Sequence, residues 1–416
     1  MIKHYGYIPV IFLLLLILTG CYDRIELEQQ SYVIAVGIDK GEETGTFSFT
    51  FQLANPEVGA TLSAGSDEEP QETVTITGSD IITATNTANS FITKKITLDQ
   101  TKVIIISEEL ARSKDFIRVI QTAARTPQIR RSVQLIVSKE NASDFLNNNE
   151  PKTETRPHKY YQYMLNRASQ TGIIPDANLH RFFQITEGDA DLFLAIYATT
   201  EISEPKESGS EDEYIAGQVP QQGGSKTQFM GSAVFKEGQM IDILDGQDTR
   251  ICNILDKTIE MEELLATYPD PIKPEYQVSA NYSQKSVPLV NVSYDKKNNH
   301  AKIDVTIPFE IEIIAIPSLV DYAQNNKYNQ KLRESIEQSI EEKTTKLVKK
   351  SQEEYGSDPF YWSIYIRRYF KDIPAYEEAD WNKVIYPNAS ITINYKLKRL
   401  EFGKMLKDSK LNEVRD

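Results

Sequence analysis

From Ser31 to Asp39 the chain reads SYVIAVGID, and the following stretch places Phe47, Phe49, Phe51 and Leu53 on one face by strict alternation. A period of two is that of a β-strand. Val74 and Ile76 resume the pattern after residues 63–72, which are polar, acidic and broken by Gly and Pro, as in a surface loop. The spacing then turns helical: Ile81, Ala88, Phe91 and Ile92 would face inward on a helix capped by Ser79 and running to about Lys94. Lys102 to Ser107 holds four branched apolar residues in a row, which suits a central strand covered on both faces. Ser113 is expected to cap the next helix, with Phe116, Ile117, Ile120, Ala123 and Ala124 inward and Pro127 ending it. A strand through Val133, Leu135 and Val137, a Tyr-rich helix (158–170) and a strand near 192–199 complete an interleaved pattern.

The second half begins after a change of texture. Residues 203–228 contain Pro205, Pro220, Gly223, Gly224 and an acidic triplet, with few large apolar side chains, and read as an interdomain linker. Beyond it, two strand patterns flank Glu237-Gly238, a hairpin signal. Ile303, Val305, Ile307, Phe309, Ile311 and Ile313 alternate along the longest strand candidate, in which Pro308 predicts an edge position or a bulge. Leu332, Ile336, Ile340 and Leu347 mark a long amphipathic helix over 329–350, and a closing strand alternates Ile391, Ile393, Tyr395 and Leu397.

The amino terminus carries an address. Lys3 and His4 precede an apolar run from Ile8 to Leu18, shorter than the ~20 residues a membrane-spanning helix needs. A cleaved signal peptide fits better. Leu18-Thr19-Gly20-Cys21 resembles the lipobox of bacterial lipoproteins. That resemblance implies cleavage before Cys21, a thioether on its sulfur (S-diacylglycerol) and an N-acyl group, so that Cys21 anchors the mature chain to the bilayer. Two acyl chains hold a protein on a membrane where one does not. The division expected is a lipoprotein signal peptide (1–20), an N-terminal α+β domain (21–202), a linker (203–228), a C-terminal α+β domain (229–406) and a charged tail (407–416). A further division near Ser286 is left open. The fold class expected is α+β, multi-domain, with mixed sheets each packed by helices.

Composition removes several function classes. The 416 residues hold 46 basic and 60 acidic side chains, a formal net charge of −14, which disfavours nucleic acid and adsorption to anionic lipid. Anchoring is therefore expected to be hydrophobic. Two cysteines and four histidines supply neither a disulfide framework nor a metal-ligand set. No glycine-rich phosphate loop, nucleophile elbow or His-Glu-x-x-His pair is present, so no catalytic, metal or cofactor-binding residue is assigned and no cofactor is expected. Cys252, among apolar neighbours, is expected to be a buried, inert thiol. Tyr160, Tyr161 and Tyr163, and the group from Phe360 to Phe370, could line a pocket or an interface but suit a core better.

One resemblance supplies a function. Gly20-Cys21-Tyr22-Asp23-Arg24-Ile25-Glu26-Leu27-Glu28 resembles the start of mature Ger(x)C lipoproteins, C subunits of nutrient germinant receptors in endospore-forming bacteria, with Tyr22 where the family usually has Trp. Val36-Gly37-Ile38-Asp39-Lys40, Ser107-Glu108-Glu109-Leu110-Ala111 and Arg125-Thr126-Pro127-Gln128-Ile129-Arg130-Arg131 follow in order. In the second half come Gly231-Ser232-Ala233-Val234-Phe235-Lys236, Asp248-Thr249-Arg250 and Gly356-Ser357-Asp358-Pro359-Phe360. The family often carries glycines after that Phe, and they are missing here. The resemblance implies a non-enzymatic lipoprotein on the outer face of the spore inner membrane, acting with membrane-embedded A and B subunits. The competing reading is a solute-binding lipoprotein of an uptake transporter, which would show two similar lobes around a cleft.

Overall fold

Strands without charge on either face must be buried on both, and the centre of the first sheet is made of them. The computed structural model describes residues 29–54, 71–188, 191–203, 210–256, 264–284 and 286–403, together with Glu26. The first half runs β1 (Gln30–Lys40), β2 (Phe47–Ala54), β3 (Gln71–Gly78), α1 (Ile81–Ala88), β4 (Lys95–Thr97), β5 (Val103–Ser107), α2 (Glu108–Ala111) and α3 (Phe116–Arg125). It continues through β6 (Gln134–Ser138), α4 (Ala142–Asn148), α5 (Pro157–Thr171), α6 (Leu179–Thr186), β7 (Phe193–Thr199), β8 (Gln228–Lys236) and β9 (Gln239–Leu244). The sheet order is β3-β2-β1-β5-β6-β7-β8-β9, with β4 also paired to β1. β1, β5, β6 and β7 are parallel neighbours, and the flanking pairs are antiparallel. Every residue of β5 is buried, as its run of branched side chains requires. Gly37 lets α4 approach β1 closely: an added Cβ would sit 3.0 Å from Leu146 Cδ1.

Several expectations change. The α1 helix is capped by Asp80, whose carboxylate accepts from the Ile82 and Thr83 amides, not by Ser79. It ends at Ala88, so Phe91 lies beyond it and is 59% exposed instead of facing inward. At α3 the N-cap position is Asp115, while Ser113 Oγ donates to Leu110 O and accepts from the Asp115 amide in the preceding turn. The hairpin at Glu237-Gly238 forms, with φ of 50° and 78°, the left-handed pair its tight turn needs. Its two strands extend the first sheet, although their sequence position suggests the second half.

The second sheet contains β10 (Leu264–Pro269), β11 (Gln277–Ser283), β12 (Leu289–Asp295), β13 (His300–Ala315) and β14 (Ser390–Glu401). β13 is central: β14 runs parallel along it, β12 pairs with residues up to Thr306, and β11 pairs from Glu310 onward. Pro308 is thus not on an edge strand. It falls between the two antiparallel partners, next to the register shift at Phe309/Glu310, where a missing N–H is tolerated. Helix α8 (Asn326–Lys350), after α7 (Gly246–Leu255), packs its buried Leu332, Ile336, Ile340 and Leu347 on this sheet. It also closes the β14 edge, because Glu337 and Glu341 accept the Leu397 and Tyr395 amides at 2.8 and 3.1 Å.

The two halves share packing. Leu192, just before β7, and Leu194, Val234 and Leu244 of the first sheet belong to the second core, and Tyr361 belongs to the first. Tyr361 takes φ 60°, which turns its ring away from buried Phe360 and Trp362 on either side.

Gly231 has φ +86°, and an added Cβ would lie 2.3 Å from the Leu244 carbonyl oxygen across the hairpin. Gly231→Ala is expected to lower stability by about 3 kcal/mol or more, read from the denaturant midpoint.

Candidate functional site at the junction of the two halves

The chain enters β7 through Asp191-Leu192, and there it meets the segment Ser357–Ser363. Asp191 and Asp358 form an isolated parallel bridge, in which the Leu192 amide donates to Asp358 O at 2.8 Å. Both side chains are buried. Asp358 Oδ1 accepts the Phe360 and Trp362 amides at 3.0 Å each, and its Oδ2 accepts Trp381 Nε1 at 2.8 Å. Asp191 accepts Ser363 Oγ at 2.6 Å and the Ser363 amide at 3.3 Å. Burial raises the Asp358 carboxyl, an effect that its three N–H donors oppose. Burial, and then the neighbouring Asp358 charge, push the Asp191 carboxyl well above its ordinary range. Burial thus raises both carboxyls, and the two titrate as one pair.

Around this pair the halves are stitched by charge-assisted bonds. Arg181 of α6 binds Asp256, which follows α7, and stacks over the Tyr361 ring at 5.5 Å. Arg250 of α7 donates to Asp212 at 2.7 Å and twice to the Thr171 carbonyl, while Asn253 Nδ2 reaches Gly172 O and Ile174 O at 3.1 and 3.0 Å. Ser232 and Thr249 hydroxyls meet at 2.8 Å in the interior. On the far side, Asp242 takes Lys350 at 2.9 Å and Tyr355 Oη at 2.5 Å. A groove of about 490 Å³ opens there between α7 and α8, lined by both signs of charge, including Glu213, Asp248, Lys343, Lys346 and Lys350. Burial, with Asp245 beside it, raises Asp248 to about 6.

Cys21, the sequence-predicted site residue, lies outside the described residues. Cys252 is 1% exposed, and burial pushes its thiol well above the ordinary range, so it is no nucleophile. Tyr160, Tyr161, Phe360 and Trp362 are core, while Tyr163 is exposed. Among the described residues no cluster of three His, Cys, Asp or Glu is placed to hold a metal ion, and no helix is long and apolar enough to cross a membrane. The geometry is that of a joint that couples two packed units. Asp191, Asp212 and Asp256 were not distinguishable in sequence, since burial is what sets them apart from sixty acids.

Residues 23–199 match the family model described as spore germination protein N-terminal domain, and residues 230–403 match the one described as spore germination B3/GerAC like, C-terminal. The chain belongs to the Ger(x)C family of spore germination proteins. That membership gives it a role in spore germination, and the family is named for this and not for a catalysed reaction. Among relatives, spore germination protein B3 of Bacillus subtilis (strain 168) is 22% identical over 95% of this chain and 97% of its own length. The putative spore germination protein YfkR of the same strain is 22% identical over 76% of each chain. The crystal structure of the GerBC protein aligns with a TM-score of 0.49 and 15% identity, covering 88% of this chain and 96% of that one. The Ger(x)C segments Gly231-Ser232, Asp248-Thr249-Arg250 and Ser357-Asp358-Pro359-Phe360 converge on the joint described above.

The carboxyl pair makes stability depend on pH. A carboxyl raised in the folded state stabilises fully below its unfolded value, near 4, and that contribution is lost as pH climbs through the raised value. Asp191→Asn keeps a donor for Asp358 without a titrating proton. Its denaturation midpoint is expected to vary less with pH than the wild type's above pH ~4. Asp358→Ala strands three buried donors and is expected to cost about 3 kcal/mol or more.

Proposed function

We propose that this chain is the C subunit of a nutrient germinant receptor, held by lipid on Cys21 at the outer face of the spore inner membrane and working with membrane-embedded A and B subunits. The observation that carries the reading is the alignment of two independent signals. The family match begins at residue 23, two positions after the cysteine at which the lipobox-like Leu18-Thr19-Gly20-Cys21 would be cut. A leader ending where the family domain starts is what a processed lipoprotein requires. The joint between the halves supports a structural part in a complex, since its polar groups are spent on one another.

In this reading the protein contributes no chemistry of its own. It places a two-part body beside the membrane-embedded subunits, and together they convert nutrient binding into ion release.

Cys21→Ala is expected to abolish incorporation of labelled fatty acid and to lower the germination response to nutrients; equal labelling of variant and wild type would overturn the anchor. Deleting the gene is expected to remove the nutrient response while leaving germination by an agent that bypasses receptors intact. Loss of both responses would count against the receptor assignment.

A further inference from the structure

The net charge is acidic, but it is not evenly spread, and the exception lies where the tether enters. β1 begins at Gln30, nine residues after Cys21, so an anchored sulfur is at most about 30 Å from the start of the strand. Lys95 of β4 pairs with Gln30 itself. The Lys102 amide donates to Ile34 O at 2.8 Å, placing Lys102 on the same rim. The loop Arg125–Arg131 leads into β6 beside them: Gln128 Oε1 accepts the Leu98 amide at 3.2 Å, and Val133 N donates to Arg130 O. Lys95, Arg125, Arg130 and Arg131 are exposed and Lys102 is half-buried. None of the five forms an ion pair with another described residue. Arg131 is held in place over the Phe183 ring, 5.8 Å from its centroid. Acids near this rim include Asp99, Asp176, Glu154 and, at the entry of the tether, Glu26.

Phe91 adds an apolar tip. Its turn is fixed by amides of Ser90, Phe91 and Ile92 donating to Thr87 and Ala88 carbonyls, and Asn89 Oδ1 accepts the Ile96 amide at 2.9 Å across the loop. A well-pinned turn that nonetheless leaves a phenyl ring 59% exposed four residues from Lys95 has the makeup of an interfacial contact. The other side of β1 differs. There β2 ends at Ala54 opposite Tyr32 and β3 begins at Gln71, and the connecting sequence carries Glu57, Asp67, Glu68 and Glu69.

We propose that the basic rim Lys95, Lys102, Arg125, Arg130 and Arg131, with Phe91 as its apolar tip, rests on an anionic phospholipid surface and so orients the tethered protein with its β4–β6 side toward the bilayer. The inference rests on the Cys21 anchor, which brings this rim within reach of lipid. It refines the expectation from net charge: anchoring is hydrophobic, and orientation is electrostatic and local.

The test replaces the natural anchor so that the two ideas fail separately. The mature chain 21–416 is coupled through the Cys21 thiol to a maleimide phospholipid in vesicles; buried Cys252 is the only other cysteine. Phe91→Trp reports contact through quenching by brominated lipid tails. Thr44→Trp, in the turn at the opposite end of β1, is the comparison, and the native Trp362 and Trp381 are buried and give a constant background. Quenching at position 91 and not at 44 is expected in vesicles containing phosphatidylglycerol, falling sharply in pure phosphatidylcholine and in high salt, conditions that need no altered fold. Lys95→Gln, Arg125→Gln and Arg130→Gln should each reduce the contacting population by about fivefold. Equal quenching at both positions, none at position 91, or the same quenching in both lipids would overturn the proposal. Absence of fatty acid on native Cys21 would instead overturn the anchor, whatever the vesicles show.

Discussion

The joint between the halves depends on the meeting of two buried carboxyls, Asp191 and Asp358. Burial raises both carboxyls, and their contact exists only while the start of β7 and the Ser357–Ser363 segment meet. The outer bonds, Arg181 to Asp256 and Arg250 to Asp212, hold the same two bodies by side chains whose desolvation would be costly if either partner withdrew.

This arrangement explains why a leaf-by-leaf description of the halves is incomplete. The first sheet contributes Leu194, Val234 and Leu244 to the second core, joined by Leu192 just before β7, and the second half returns Tyr361 to the first. The two units are built on different sheets, one with a parallel centre and one dominated by antiparallel pairs.

Much of this was legible in the sequence, where local periodicity reports burial directly. β5 is an unbroken apolar run because it is covered on both faces, and the Glu237-Gly238 turn could be read because few residues accept its backbone. What escaped depends on partners far along the chain. No local pattern says that β8 lies beside β7, that Pro308 sits where one partner strand hands over to another, or that Asp191 among sixty acids loses its water. The cap at α1 was misplaced by one residue because Ser79 and Asp80 are both good acceptors, and only the geometry chooses. Phe91 fits a helical spacing that the helix stops too early to use.

The closing strand has one more consequence. Twelve residues of backbone at a sheet margin would ordinarily be a template on which a second copy could zip. Here α8 lays carboxylates of Glu337 and Glu341 on two of the free amides, and Arg333 takes the Leu397 carbonyl at 3.3 Å. By laying its own helix along part of that margin, the chain withholds these groups from any approaching second copy.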